Sequence, residues 1–286
     1  MYDAVCLPTD GSDAADAALD LAISLADAHD ATLHVLNVAD TNQPSLTRID
    51  GQVRDVLEGA GKEIVDEAAS TARAAGVDVT TAVVQGGPSR TIREYVDDRE
   101  IDLVVMGTRG QRTVEKIILG SVTERVLRSS TVPVLVVPPE SDREYPPERV
   151  LVGSDGSEGS AAAIQESLDI CETVGGALRA LSVVESALLG IDVRSSTVAE
   201  ERERRDTDLL EAVRDQATER GIDVETAVEE GEVVETMNEF AEAHGIDLVV
   251  VGTHGRTGID RRLLGSVTEN LIRSAAVPVL SVRATE

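Results

Sequence analysis

The sequence predicts an α/β fold: two similar doubly wound domains, each a five-stranded parallel sheet with helices on both faces. Three observations carry this reading. Short apolar runs alternate with helical spacing in the order βαβαβαβαβ, and the runs are β-branched and nearly continuous, as strands covered on both faces require. The whole pattern then repeats at an offset of 145 residues. Within it, Gly107-Thr108-Arg109-Gly110, nine residues and Gly120-Ser121-Val122-Thr123 return as Gly252-Thr253-His254-Gly255, nine residues and Gly265-Ser266-Val267-Thr268.

Each element of the first repeat has a local reason. Asp3 to Leu7 is a strand ending at Pro8-Thr9-Asp10-Gly11. Ser12 is a ready N-cap for a helix to about Ala28, with Ala14, Ala18, Leu21 and Leu25 on one stripe. Ala31 to Val38 is the second strand, and residues 41–51 read as a surface connection. Residues 52–75 keep helical apolar spacing (Val53, Val56, Leu57, Ile64, Val65, Ala68) and stop at Gly76. Val77 to Val84 is the third strand, and Pro88 after Gly86-Gly87 opens a helix to about Arg99. Strand four covers residues 101–106, the glycine loop follows, a helix spans residues 121–129, and Thr131 to Val137 closes the repeat.

The second repeat keeps this order. Asp155-Gly156-Ser157 stands for Asp10-Gly11-Ser12, the middle helix falls at about residues 197–220, and residues 186–196 read as a connection. A proline-bracketed polar stretch, Pro138-Pro139 through Pro146-Pro147, divides the chain into expected domains 1–140 and 147–286.

Composition narrows the function. The 286 residues are 42% hydrophobic but only 1% aromatic, so the cores must be Val, Leu, Ile and Ala. No apolar run reaches the roughly 20 residues a membrane helix needs, and the N-terminus lacks a signal-peptide pattern, so a cytoplasmic protein is expected. Cys6 and Cys171 sit in apolar settings and read as small buried hydrophobes. Against 53 acids stand 26 bases, only two of them lysine (Lys62, Lys116), for a net charge of −27. Such a chain repels nucleic acid and acidic membranes. Its acids are spread along the whole length, which points to a halophilic protein working in molar salt, where screening cuts self-repulsion to about 3 Å.

The glycine stretches carry the chemistry. A buried strand, a glycine-pinned loop and a helix start can bring backbone N–H groups up to an anion, and ligands of such sheets sit beyond strand C-termini at the switch in strand order. A purely structural reading competes, because Ser121-x-x-Glu124 and Ser266-x-x-Glu269 fit a capping box. A capping box does not require Gly107, Gly110, Gly120 and their repeats at these spacings. Neither a Walker loop nor a G-x-G-x-x-G fingerprint occurs.

On these residues the chain resembles a tandem universal stress protein of the ATP-binding type. The signature G-x2-G-x9-G-[ST] is matched at Gly107, Gly110, Gly120, Ser121 and again at Gly252, Gly255, Gly265, Ser266, and the similarity covers essentially the whole chain. The resemblance implies strand order 3-2-1-4-5 in each Rossmann-like domain and an adenine nucleotide, ATP first, with Mg2+ as an accompanying ion. It places Pro8, Thr9, Asp10 and Asp155 beside adenine and ribose, and Val38 and Val183, at the end of strand two, on the adenine. The loops and helix starts (Met106, Gly107, Arg109, Gly110, Gly120, Ser121, Val122, Thr123; Val251, Gly252, His254, Gly255, Gly265, Ser266, Val267, Thr268) would hold ribose and phosphates. It also implies a pseudo-dimer of the two repeats through residues 132–137 and 277–282, and a homodimer as a further partner arrangement. Independently of it, Asp10 and Asp155 fit Asx turns entering the first helix.

The two copies differ. The second reads Gly255-Arg256-Thr257-Gly258, while the first has Thr113 where a third glycine often stands in the family. The first keeps Gly86-Gly87-Pro88, where the second has Gly231-Glu232-Val233 beside Glu229 and Glu230. With few lysines, phosphate charge falls to the backbone, Mg2+ and arginines such as Arg109, Arg112, Arg256, Arg261 and Arg262. His254 reads as a loop residue, and His29, His34 and His244 have no assigned role. No catalytic residue or metal ligand set stands out. A stress-response module using nucleotide as ligand or switch is expected first, a scaffold whose loops only cap helices second, and a slow ATPase last.

Overall fold

A computed structural model describes residues 2–41, 46–49, 52–108, 119–141, 143–184, 196–253 and 264–284. It divides into two compact units, Tyr2–Tyr145 and Pro146–Glu286.

The first unit runs β1 (Ala4–Pro8), α1 (Asp13–His29), β2 (Thr32–Asp40), β3 (Leu46–Ile49), β4 (Gln52–Asp55), α2 (Val56–Ala74), β5 (Val79–Gly86), α3 (Pro88–Asp98), β6 (Leu103–Gly107), α4 (Ser121–Ser129) and β7 (Val134–Val137). The second runs β8 (Arg149–Gly153), α5 (Glu158–Val174), β9 (Ala177–Val184), α6 (Ser196–Glu219), β10 (Val224–Glu230), α7 (Val233–Ala243), β11 (Leu248–Gly252), α8 (Ser266–Ser274) and β12 (Val279–Val282). Pairing within the first unit follows β5-β2-β1-β6-β7 and within the second β10-β9-β8-β11-β12, all parallel.

Every residue of β6 is buried, so both faces of that strand are covered, which is why its sequence is a continuous apolar run with no polar alternation. The fully buried large side chains are leucines and isoleucines, Leu7, Leu33, Leu103, Leu151, Leu178 and Ile246 among them. Cys6 and Cys171 are buried free thiols. Burial raises both thiol pKa values, that of Cys171 to about 12, so neither is a thiolate at neutral pH.

Ile101-Asp102-Leu103 and its repeat Ile246-Asp247-Leu248 have a structural role at the sheet end away from the glycine loops. Asp102 Oδ2 accepts from the amides of Asp3 and Ala4 at 2.8 and 2.9 Å, and Asp247 Oδ2 from Glu148 and Arg149 at 3.1 and 2.9 Å. Each carboxylate thus ties the start of its unit's first strand to the strand beside it. Gly76 and Gly221 take positive φ (91° and 73°) just past α2 and α6, the left-handed stop that lets each chain turn into the next strand.

Several sequence expectations shift. Residues 52–55 belong to a short antiparallel ribbon, β3 with β4, so the helix expected from residue 52 begins at Val56, and the 41–51 connection contains a strand. Strand two continues to Asp40, because its ladder with β5 persists through Asp40 and Gly86; Val38 lies inside the strand, not at its end. Strand five is shortened to Val134–Val137, since Pro133 lacks the N–H a ladder needs there.

Two histidines without a role in the sequence pack against tyrosines. His29 Nε2 lies 2.6 Å from Tyr145 Oη, with Tyr2 edge-on to the ring, and His34 Nδ1 lies 3.1 Å from Tyr95 Oη. Burial first, then the N-terminal ammonium at His29 and Arg99 at His34, pushes both pKa values below the usual imidazole value. The sign follows: the neutral ring is the folded form, so this stability is complete above about pH 6.5 and is lost as pH falls through the lowered values. Melting curves at pH 8 and pH 5 should therefore converge when His34→Gln and native chains are compared, the variant losing less on acidification. An equal acid loss in both would contradict the assignment.

Candidate functional site at the strand ends

In the first unit the chain reverses its direction of winding at β1, which has β2 on one side and β6 on the other. In the second unit β8 stands between β9 and β11 in the same way. Each glycine-bearing strand end therefore lies at a topological switch point, where open α/β sheets receive ligands.

The turn after β1 is fastened by side chains. Thr9 N–H donates to Leu36 O at 2.8 Å, and Asn37 Nδ2 donates to Thr9 O at 2.8 Å. Thr9 Oγ1 accepts from Gly11 N at 3.2 Å, and Asp10 Oδ1 accepts from Ser12 N at 3.2 Å, closing the expected Asx turn. In the second unit Asp155 Oδ1 accepts from Ser157 N at 2.9 Å, and Ser157 Oγ caps α5 by accepting from Ser160 N at 3.1 Å. Ser12 stands at the N-cap of α1, but its hydroxyl makes no cap bond. Asp16, one turn into α1, has its carboxyl pKa raised by burial and by Asp13, Glu67, Asp20 and Asp10, a sign of the negative field around this turn.

The glycine loops are pinned at both ends. Thr108 N–H donates to Val137 O at 3.2 Å, Gly120 N–H to Thr108 O at 2.7 Å, and Thr123 Oγ1 to Gly107 O at 3.0 Å. The second copy repeats all three, with Thr253 to Val282 O at 2.8 Å, Gly265 to Thr253 O at 2.8 Å, and Thr268 Oγ1 to Gly252 O at 2.7 Å. The first signature glycine is a packing residue: a Cβ at Gly107 would fall under 3.0 Å from the Ala14 carbonyl, and one at Gly252 under 3.0 Å from the Gly159 backbone. The first turn of α1 or α5 thus lies directly on the strand end.

The capping-box expectation is overturned. Gly120 and Gly265 are the N-caps, in extended conformation (φ −60°, ψ 139° and φ −61°, ψ 142°), and neither helix has a side-chain cap bond. Ser121 and Ser266 are already the first helical residues, so their hydroxyls stand one position too late to cap. Glu124 and Glu269 instead pair with Arg128 and Arg273 one turn on. Among the described residues, the first-turn amides of Ser121, Val122 and Thr123, and of Ser266, Val267 and Thr268, have no partner, as a helix N-terminus with no cap leaves them. Ser121 and Ser266 are exposed, and Val267, at 36%, is one of the exposed large apolar side chains of the chain.

Other expected site residues fall variously. Val38 and Val183 are half-buried on β2 and β9, and Pro8 is half-buried at the end of β1. Met106 and Val251 are core residues at 5% and 6% exposure, which leaves only their backbone for a ligand. Arg109, Gly110, Arg112, Thr113, His254, Gly255, Arg256, Thr257, Gly258, Arg261 and Arg262 lie outside the described residues. Glu232, in the second copy's turn, is the N-cap of α7 and accepts from Glu235 N at 3.0 Å. Glu229 and Glu230 are exposed at the end of β10. Among the described residues no group of three or more His, Cys, Asp or Glu side chains is arranged to hold a metal ion. Sequence reading missed the hydroxyl clamps of Thr123 and Thr268, although their recurrence at the repeat offset was a usable signal. Asn37 gave none, because it is not repeated.

Fold and site together define a tandem doubly wound α/β protein with, at each switch point, a helix N-terminus that has no side-chain cap among the described residues. The chain belongs to the universal stress protein family, whose model matches residues 1–138 and 147–283. It is 30% identical over 296 residues to a universal stress protein of Mycolicibacterium smegmatis, covering 98% of this chain and 96% of the relative. It is 34% identical over 140 residues to one from Methanocaldococcus jannaschii, covering 48% of this chain and 82% of that protein. Among solved structures, a universal stress protein from Archaeoglobus fulgidus superposes with a TM-score of 0.73 over 99% of this chain and 97% of that one, at 24% identity, a likeness of fold. No helix among the described residues is long and apolar enough to cross a membrane.

Proposed function

We propose that this chain binds ATP or a related adenine nucleotide at both switch points and uses it as a ligand or switch in a stress response, with hydrolysis slow or absent. The observation that carries the reading is the set of first-turn amides on α4 and α8 that have no partner among the described residues, each helix following the strand next to the one that leads into an Asx-turn aspartate. Such a helix start suits a phosphate. The family signature adds the purine: Asp10 and Asp155 beside adenine and ribose, Val38 and Val183 against the base, and the two glycine loops, with Arg109, Gly110, His254 and Gly255, around ribose and phosphates. Mg2+ would accompany the phosphates, because a chain of net charge −27 repels a bare polyanion. The charge also favours a salt-rich cytoplasm as the working compartment. Pairing of the repeats through residues 132–137 and 277–282, and a homodimer of whole chains, belong to the same proposal and rest on the sequence; light scattering of the purified chain tests the homodimer.

Calorimetric titration with Mg-ATP in molar KCl tests nucleotide use. Saturable binding is expected, with the affinity of the second site lowered at least about tenfold by Gly265→Leu, which crowds the N-cap and the amides behind it. Binding indifferent to Gly265→Leu would move the ligand away from the glycine loop. A chain with no binding at all would be a scaffold.

A further inference from the structure

The first unit's sheet ends in β5, which among the described residues pairs on one side only, with β2. No residue of β5 is buried, whereas every residue of β6 is. Leu33 N–H donates to Asp78 O at 2.8 Å and Thr41 N–H to Gly86 O at 3.3 Å. With the parallel register, these bonds turn the peptide groups of Thr80, Ala82 and Val84 toward β2. Those of Val79, Thr81 and Val83 point outward, and among the described residues they have no partner. Helix α2 packs on the face that carries Val83: a Cβ at its Gly61 would lie 3.1 Å from Val83 and under 3.0 Å from Asn37 Oδ1.

This edge carries no charge. From Val79 to Gly86 no residue is acidic or basic, in a chain of which 28% is charged. A long, β-branched edge strand without charge or proline is a template for another strand, and proteins ordinarily blunt such edges. The second unit does so. Its edge strand β10 has the same outward positions, Val224, Thr226 and Val228, but adds exposed Glu225, Glu229 and Glu230.

We propose that β5 is a homodimer surface, its open edge pairing antiparallel with β5 of a second copy of this chain across a twofold axis at Thr81. This rests on the homodimer of the reading above and not on nucleotide. The outward set is symmetric about Thr81, as a contact between identical surfaces needs. Thr81 of one copy meets Thr81 of the other, and Val79 meets Val83, each pair exchanging both backbone bonds. Thr80 then falls opposite Ala82 and Val84 opposite Asp78, so no like charges face each other along the strand. The same pairing of β10 about Thr226 would set Glu229 of each copy opposite Asp223 of the other, which opposes it. Charge also selects the occupant. Two copies of net charge −27 can approach only through uncharged surface, in salt that screens the rest to about 3 Å.

Light scattering of the full chain in molar KCl should give a dimer. Thr81→Pro removes an outward N–H and leaves the ladder to β2 intact, as edge strands allow. It should halve the mass without changing the circular dichroism spectrum, whereas Thr226→Pro on β10 should stay dimeric. Thr81→Cys supplies a readout that misfolding of the proline variant cannot obscure. Facing Cα atoms in a hydrogen-bonded antiparallel pair stand about 5.5 Å apart, within disulfide reach. Both native thiols are buried, so mild oxidation should link Thr81→Cys chains into covalent dimers and leave Thr226→Cys chains unlinked. A dimer that persists in a folded Thr81→Pro chain, or Thr81→Cys chains that link no faster than Thr226→Cys chains, overturns this surface while the homodimer stands. A monomeric parent chain overturns both.

Discussion

Gly107→Ala is expected to lower the stability of the first unit by about 3 kcal/mol, at the upper end of overpacking costs. The added methyl meets the Ala14 carbonyl, a backbone atom in the first turn of α1, with no rotamer able to yield. Relief requires α1 to lift from β6, and α1 carries the Asp10 turn at its start. Gly252→Ala should act similarly in the second unit, where the Gly159 backbone is in the way. Gly59→Ala is the contrast: nothing lies within 4 Å of its added methyl, it sits inside α2, and it should stabilise by up to about 1 kcal/mol. Denaturant unfolding of the three variants checks the set. A Gly107→Ala chain as stable as the native one would mean that this signature glycine is kept for the ligand alone and not for packing.

Transfer from molar to about 0.1 M KCl is expected to unfold the chain or lower its melting temperature steeply, because the screening length grows from about 3 Å to about 10 Å. With 53 acids against 26 bases, repulsion outweighs the attractions that low salt strengthens. The described ion pairs are mostly surface pairs such as Arg90–Glu94 and Arg128–Glu124, which water and salt screen and which contribute little. Circular dichroism melts across a KCl series measure this. A melting temperature that holds or rises as salt is removed would contradict a chain adapted to molar salt.

Much of this was legible because it recurs. Apolar runs such as Leu103 to Met106 announced strands buried on both faces, and Gly76 and Pro88 announced where helices stop and start; the structure places these features within a few residues of expectation. The glycine loops were found for the same reason. What could not be read was what one element does to another. Gly107 shows in sequence only as a loop glycine, and its partner, Ala14, is 93 residues away. Ser-x-x-Glu looked like a capping box because its spacing is right. Gly120 takes the N-cap instead, with its amide bonded to Thr108 O, and this moves the serine inside the helix. The β3–β4 ribbon was missed because residues 46–49 read as part of a surface connection and residues 52–55 also fit helical spacing, since short apolar stretches satisfy both periods. Asn37 was invisible, since its importance lies in a carbonyl 28 residues back and a glycine on α2.

The central claim is that the two glycine-loop helix starts are nucleotide sites. Equilibrium dialysis of the purified chain against labelled Mg-ATP in molar KCl tests it most directly. The account predicts saturable uptake approaching two nucleotides per chain, with one equivalent removed by Gly120→Leu and the other by Gly265→Leu. Uptake that never saturates, or that survives both substitutions together, would contradict it.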